Sequence, residues 1–296
     1  MIERVDAQRI ARLNAPNPER RSTEWLNVAS NNHGFFCKHD YPYRPSSDGF
    51  VLGVFGGSVA QWFCLQQGQS FAAAMAASLT GGRAVEILNF GLGGFKQPQS
   101  MFAFTYFLML GQRFDGVLLL DGFNEAALSW VNAAGGTDCA QPSIQHMEMF
   151  GEARDLFDAK AERKLSAAEL TAHIASQWED GARTMRGICR DRGIPFFHVL
   201  QPNQYHSAKT FSKDELAFAV SQTSPYREGV RAIYPEMKDR MSRMRRDGWN
   251  AFDATAIFDG RMETLYSDNC CHYNSLGNSI LEGFILAAMR ENWSIR

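Results

Sequence analysis

The chain has 296 residues, 45% hydrophobic and 21% charged, with a formal net charge of −2. This is the composition of a globular protein with a sizeable core, and it holds no basic surplus for nucleic acid or an anionic membrane. No run approaches the ~20 apolar residues of a bilayer span, and Met1-Ile2-Glu3-Arg4-Val5-Asp6 carries no apolar signal region. The six cysteines, Cys37, Cys64, Cys139, Cys189, Cys270 and Cys271, are scattered without a C-x-x-C pair. That argues against a disulfide framework or a zinc ribbon. Free thiols in a cytoplasmic protein without metal or cofactor are the expectation.

Residues 1–48 form an N-terminal arm, with a short helix over 5–13 and turn-rich stretches at 30–34 and 41–45. The arm has too few periodic apolar residues for a core of its own and is expected to pack on the main domain, residues 49–296. From residue 50 the pattern alternates. Residues 50–55 read as a strand, 59–79 as a helix stopped by Gly81-Gly82, 84–90 as a strand and 97–111 as a helix. Residues 116–121 (Gly-Val-Leu-Leu-Leu-Asp) are fully apolar up to the aspartate, as in the centre of a parallel sheet. A helix starts at 124, and 133–143 is loop-like.

Ser166-Ala167-Ala168-Glu169 is a capping box opening a helix to about 192, and Ser212-Lys213-Asp214-Glu215 offers another. Residues 194–200 and 249–252 complete five strands, 226–246 is helical with Arg240, Arg243, Arg245 and Arg246 read as a solvated face, and the last helix spans 274–290. On that helix Leu276, Ile280, Leu281, Phe284, Ile285 and Ala288 share one side. Strands alternating with helices predict an α/β class with a mostly parallel sheet.

The chemistry is concentrated at strand ends. Phe55-Gly56-Gly57-Ser58-Val59-Ala60 reads as strand, glycine turn and helix, and places the Ser58 hydroxyl where open α/β sheets keep their sites. A serine nucleophile needs a base, a group orienting that base, and donors for the oxyanion. The second strand is followed by Asn89-Phe90-Gly91-Leu92-Gly93-Gly94, whose glycines allow outward-pointing N–H groups. The third is followed by Gly122-Phe123-Asn124-Glu125, an exposed amide. Ahead of the last helix stands Asp268-Asn269-Cys270-Cys271-His272, an acid and a histidine able to pair within one loop.

These four blocks, in this order over residues 50–290, resemble the SGNH hydrolase superfamily of GDSL-type esterases and lipases. The resemblance implies a flavodoxin-like, three-layer α/β/α fold with a five-stranded parallel sheet. It implies Ser58 as nucleophile, His272 as general base and Asp268 as the residue orienting it. The implied oxyanion donors are the N–H of Ser58, the N–H of Gly94 (Gly93 if the loop is shifted by one) and the Asn124 amide. Three positions depart from the pattern: Gly57 stands where aspartate is common, Glu125 replaces an aspartate, and Asp268 lies four residues before His272, with Asn269 at the usual place. Glu125 is still expected to brace its loop.

The implied activity is cleavage of an O-acyl or O-acetyl ester on a small molecule or carbohydrate through an acyl-enzyme on Ser58. An acyltransferase on the same fold and a non-catalytic binding protein are the alternatives. Residues 133–143 and 201–211 are the expected lids, with the polar run from Gln201 to His206 available to contact an acceptor. His198 is read as a core residue, and His33, His39, His146, His173 and His206 as surface. Cys270 and Cys271 are read as non-nucleophilic, since neither has its own strand-end turn. Trp62, Trp130 and Trp178 fall in helices as core or acyl-pocket walls. Two other motifs fail: Ala60 breaks the G-x-S-x-G elbow, and Lys96 breaks a G-x-G-x-x-G begun at Gly91.

Overall fold

The computed structural model describes residues 30–45, 48–143, 161 and 164–293. The predicted helix over 5–13, the start of the arm and His146 lie outside these residues. Five parallel strands, β1 (Phe50–Gly56), β2 (Val85–Gly91), β3 (Gly116–Asp121), β4 (Phe196–Leu200) and β5 (Ala251–Asp253), stand in the order β2-β1-β3-β4-β5. Seven helices accompany them among the described residues: α1 (Ser58–Ser78), α2 (Gln99–Met109), α3 (Phe123–Ala134), α4 (Ala167–Asp191), α5 (Lys213–Ala219), α6 (Arg227–Arg246) and α7 (Ser275–Asn292). α1 packs with α7, while α2, α3, α4 and α6 pack among themselves, so the sheet is the middle of three layers.

β1 and β3 are buried at every position. This is why they read as continuous apolar runs and not as alternating strands. Gly56 is in register with both Gly91 and Leu120, which brings the ends of the three strands level. The chain leaves β1 for a neighbour on one side and later returns to fill the other. β1 and β3 therefore flank the topological switch point, where loops diverge and leave a crevice.

The core beneath is aromatic. Phe55 and Phe90 stack with centroids 4.7 Å apart, and Phe104 and Phe114 meet Phe55 edge-on. The described part of the arm, residues 30–45, lies along β2. Tyr41 stacks on Phe90 at 4.3 Å and donates its hydroxyl to Asn89 O, and Asn89 Nδ2 donates to Phe36 O.

Several expectations change in detail. The fifth strand is 251–253, because Trp249 instead packs beneath the guanidinium groups of Arg183 and Arg186. Arg240 is not a solvated residue: it bonds Glu236 within α6 and Glu179 on α4, with 16% of its side chain exposed. Leu276 sits in the first turn of α7 and is exposed. His39 is not a plain surface residue, since it lies 3.0 Å from Glu86 and stacks on Tyr43. His206 is half-buried against Tyr234. His198 is fully buried, with Nε2 2.8 Å from Asp121 Oδ1, which also accepts the Trp178 indole N–H. The Ser166–Glu169 capping box forms with both of its bonds. At α5 only half of the second box forms: Ser212 accepts from the N–H of Glu215, but the Glu215 carboxylate is used elsewhere. No helix among the described residues is long and apolar enough to cross a membrane.

Candidate active site

Ser58 is the first residue of α1, directly past the end of β1, and half-buried. The turn that delivers it has room only for glycine. Gly56 has φ +145°, and a Cβ there would lie 2.0 Å from the Leu120 carbonyl oxygen. A Cβ on Gly57 would lie 2.1 Å from Asn124 Nδ2. The Asn124 amide thus lies directly against the Gly57 backbone. Gly57 has no capping side chain, so the N–H groups of the first turn of α1 are open to an anion.

His272 Nε2 lies 2.7 Å from Ser58 Oγ, and His272 Nδ1 is hydrogen-bonded to Asp268 Oδ2. The other Asp268 oxygen accepts the N–H groups of Cys270, Cys271 and His272 at 2.9, 3.0 and 3.2 Å. The four-residue spacing therefore wraps a turn around the carboxylate and still presents it to the ring. Burial pushes the Asp268 carboxyl up. The hydrogen bond and charge of His272, with the backbone donors, outweigh this and hold it below the ordinary aspartate value. His272 and Asp268 keep 24% and 38% of their side chains exposed, so water reaches the pair.

The other two blocks close on the same point. Gly93 donates its N–H to Gln61 Oε1, which leaves Gly94, at φ +77°, as the candidate donor of its loop. Asn89 anchors the start of this loop by accepting the Gly91 N–H. Asn124 donates one amide hydrogen to Phe95 O at 2.7 Å and retains a second. Glu125 braces both loops, accepting the Gln97 N–H on one oxygen and the Gly122 N–H on the other, at 2.9 Å each. Burial, followed by the charge of Asp121, pushes its carboxyl up to about 8.

Gln61 also belongs to this region, though nothing marked it in the sequence, and so do Lys96 and Cys271. Lys96 is fully buried, donates to the Cys139 carbonyl, and is pushed down to about 8 by burial against the opposing charges of Glu125, Cys139 and Asp138. Cys271 Sγ lies 4.0 Å from Ser58 Oγ. Its thiol is held well above the usual range by burial and then by Cys270, so it stays neutral.

The expected lids have other roles. Residues 133 and 134 belong to α3, and the turn beyond them is strapped down by Asn132 Nδ2, which donates to the carbonyls of Asp138, Gln141 and Pro142. The residues from Gln201 to Tyr205 are buried, a 3-10 turn spans Gln204–His206, and the side chains of Asn203, Gln204 and Tyr205 donate to backbone carbonyls of the Asp268–His272 loop.

No protein-family model matches the chain, and no curated protein sequence does. Solved structures do resemble it. A gut microbial diltiazem-metabolizing enzyme is 12% identical over 83% of this chain, with a TM-score of 0.49, and the chain spans about half (48%) of that enzyme's length. A member of the lipolytic G-D-S-L family from Veillonella parvula is 10% identical over 81% of this chain and 97% of its own, with a TM-score of 0.43. An acetylxylan esterase from Geobacillus stearothermophilus is 13% identical over 86% of this chain and 100% of its own, with a TM-score of 0.44. The chain is thus similar to G-D-S-L lipolytic and esterase structures in its α/β layering, with little sequence in common.

Proposed function

We propose that the protein is an SGNH-type serine esterase that cleaves an O-acyl or O-acetyl ester of a small molecule or carbohydrate. The observation that carries this is the unbroken chain from Ser58 Oγ through His272 to Asp268 at the β1/β3 switch point. Asp268, bonded at Nδ1, keeps the proton there and leaves Nε2 free to accept from Ser58. Ser58 Oγ attacks the ester carbonyl as its proton passes to His272. The oxyanion takes the N–H of Ser58 at the start of α1, the N–H of Gly94 and the second amide hydrogen of Asn124. His272 then protonates the leaving alcohol. Water enters, gives a proton to His272 and attacks the acyl-enzyme, which releases the acid and restores Ser58.

Hydrolysis is favoured over transfer to another acceptor by the exposure of His272 and Asp268, and by the tie between residues 203–205 and the loop, which removes one expected lid. A thiol nucleophile is disfavoured because Cys271 is buried and neutral while the histidine faces Ser58. The test is a fluorophosphonate probe with intact-mass detection. The parent protein is expected to gain one adduct, lost in Ser58→Ala, and hydrolysis of p-nitrophenyl acetate is expected to fall on the order of 10⁴-fold or more in that variant. Equal labelling of parent and Ser58→Ala would sink the assignment.

A further inference from the structure

The loop carrying Asp268 and His272 is held from behind by three consecutive side chains. Gln204 Nε2 donates to the Asp268 carbonyl at 3.1 Å, Tyr205 Oη to the Asn269 carbonyl at 2.6 Å, and Asn203 Nδ2 to the Cys270 carbonyl at 3.1 Å. The clamp is itself rigid. Asn203 is fully buried, its Oδ1 accepts the Tyr205 N–H at 2.9 Å, and Gln204 also donates to Ala219 O. Beyond the loop, the Tyr273 hydroxyl donates to the Pro202 carbonyl.

The two faces of the loop thus do different work. Its N–H groups turn inward onto Asp268 Oδ1, and its carbonyls turn outward onto residues 203–205. The Asn269–Cys270 and Cys270–Cys271 peptide units are each fixed at the N–H end by the carboxylate and at the carbonyl end by the clamp, while Asp268–Asn269 is held by the clamp and Cys271–His272 by the carboxylate. Rotating either doubly held peptide releases a carbonyl from the clamp and a donor from Asp268 together, and the carboxylate then shifts relative to the imidazole. A displacement of about 1 Å at a catalytic group costs on the order of 10²-fold in rate.

We propose that Asn203, Gln204 and Tyr205 are positioning residues, which set the Asp268–His272 pair in register with Ser58 by holding three successive carbonyls of its loop. This rests on the serine-esterase reading above. For these three residues it replaces the expectation that the polar run contacts an acyl acceptor, because their side chains are spent on the protein's own backbone.

The experiment compares the parent with Tyr205→Phe, which removes one oxygen and keeps the ring, and with Gln204→Met. Three readouts are taken: steady-state hydrolysis of p-nitrophenyl acetate, the rate of fluorophosphonate labelling at Ser58, and the downfield proton resonance of the Asp268–His272 hydrogen bond. The expected result for Tyr205→Phe is a kcat about 10-fold lower with KM within twofold, labelling slowed to match, and a displaced or broadened resonance at a melting temperature close to the parent's. Unchanged kcat, labelling rate and resonance in both variants would overturn the clamp. A loss of activity that follows a lowered melting temperature, with the resonance in place, would also overturn it, since that is the mark of a structural role alone. If the parent itself is not labelled at Ser58, the esterase reading fails, and that result is separate from any difference between parent and variant.

Discussion

At the scale of single residues, the site depends on how few atoms surround Ser58. Gly56 and Gly57 leave no room for a Cβ, and the space gained is filled by the Leu120 carbonyl and the Asn124 amide. On the proposed serine-esterase reading Asn124 has two tasks. One amide hydrogen holds Phe95 O and so the glycine loop, and the other is free for an oxyanion. Asn124→Ala is expected to lower kcat for p-nitrophenyl acetate by about 10²–10³-fold, about 3–4 kcal/mol in the barrier, with a smaller change in KM. Steady-state kinetics on the purified variant checks it. A KM-only effect would place Asn124 in ground-state binding and not in oxyanion stabilisation.

At the scale of elements, the loops are held by charges buried within them. Lys209 Nζ and Glu215 Oε2 are 2.7 Å apart with both side chains fully buried. Glu215 Oε1 accepts the N–H groups of Leu265 and Tyr266, which lead into the Asp268 loop. The expected capping role of Glu215 is thus exchanged for a tertiary one, while Ser212 alone caps α5. Glu215→Ala strands a buried ammonium and two backbone donors, and is expected to cost about 3–5 kcal/mol. Ser212→Ala, which removes only a cap, is expected to cost about 1 kcal/mol. Urea unfolding of the two variants measures the difference. Equal losses would mean that the Lys209–Glu215 pair adds nothing beyond the helix cap.

At the scale of the whole molecule, the buried ionisable groups beside the site shape stability against pH. Glu125 is raised from 4.5 to about 8 by burial and Asp121, so the folded protein retains a proton that the unfolded chain releases. Stability from this group is present below about 4.5 and is lost as pH rises through about 8. Lys96, lowered from 10.5 to about 8, acts above that window, where stability recovers with rising pH. Between pH 5 and 8 Glu125 therefore contributes a falling component to the melting temperature, while burial of His206 contributes a rising one, and Glu125→Gln is expected to remove the falling component and shift the slope upward relative to the parent. Calorimetry across that range checks it, and parallel slopes for parent and variant would refute it.

The sequence by itself determined the layering and the identity of the residues that meet. Phe55 to Ser58, Asn89 to Gly94, Gly122 to Glu125 and Asp268 to His272 are local signals, because an apolar run, a glycine turn and a polar residue at a strand end are all written within a few positions. The parallel sheet was legible for the same reason, since β1 and β3 are apolar runs, β3 up to its final aspartate, and helix-length segments separate successive strands. What only the tertiary structure decided is what holds those residues in place. Asn203, Gln204 and Tyr205 reach carbonyls 64 to 67 positions away, Glu215 reaches Leu265 and Tyr266 at 50 and 51, and Glu125 spans 28 positions to Gln97. Their partners are backbone groups, which every residue carries alike. No side-chain pattern along the chain could mark them, and only the closure of the loops over the sheet brings donor and acceptor together.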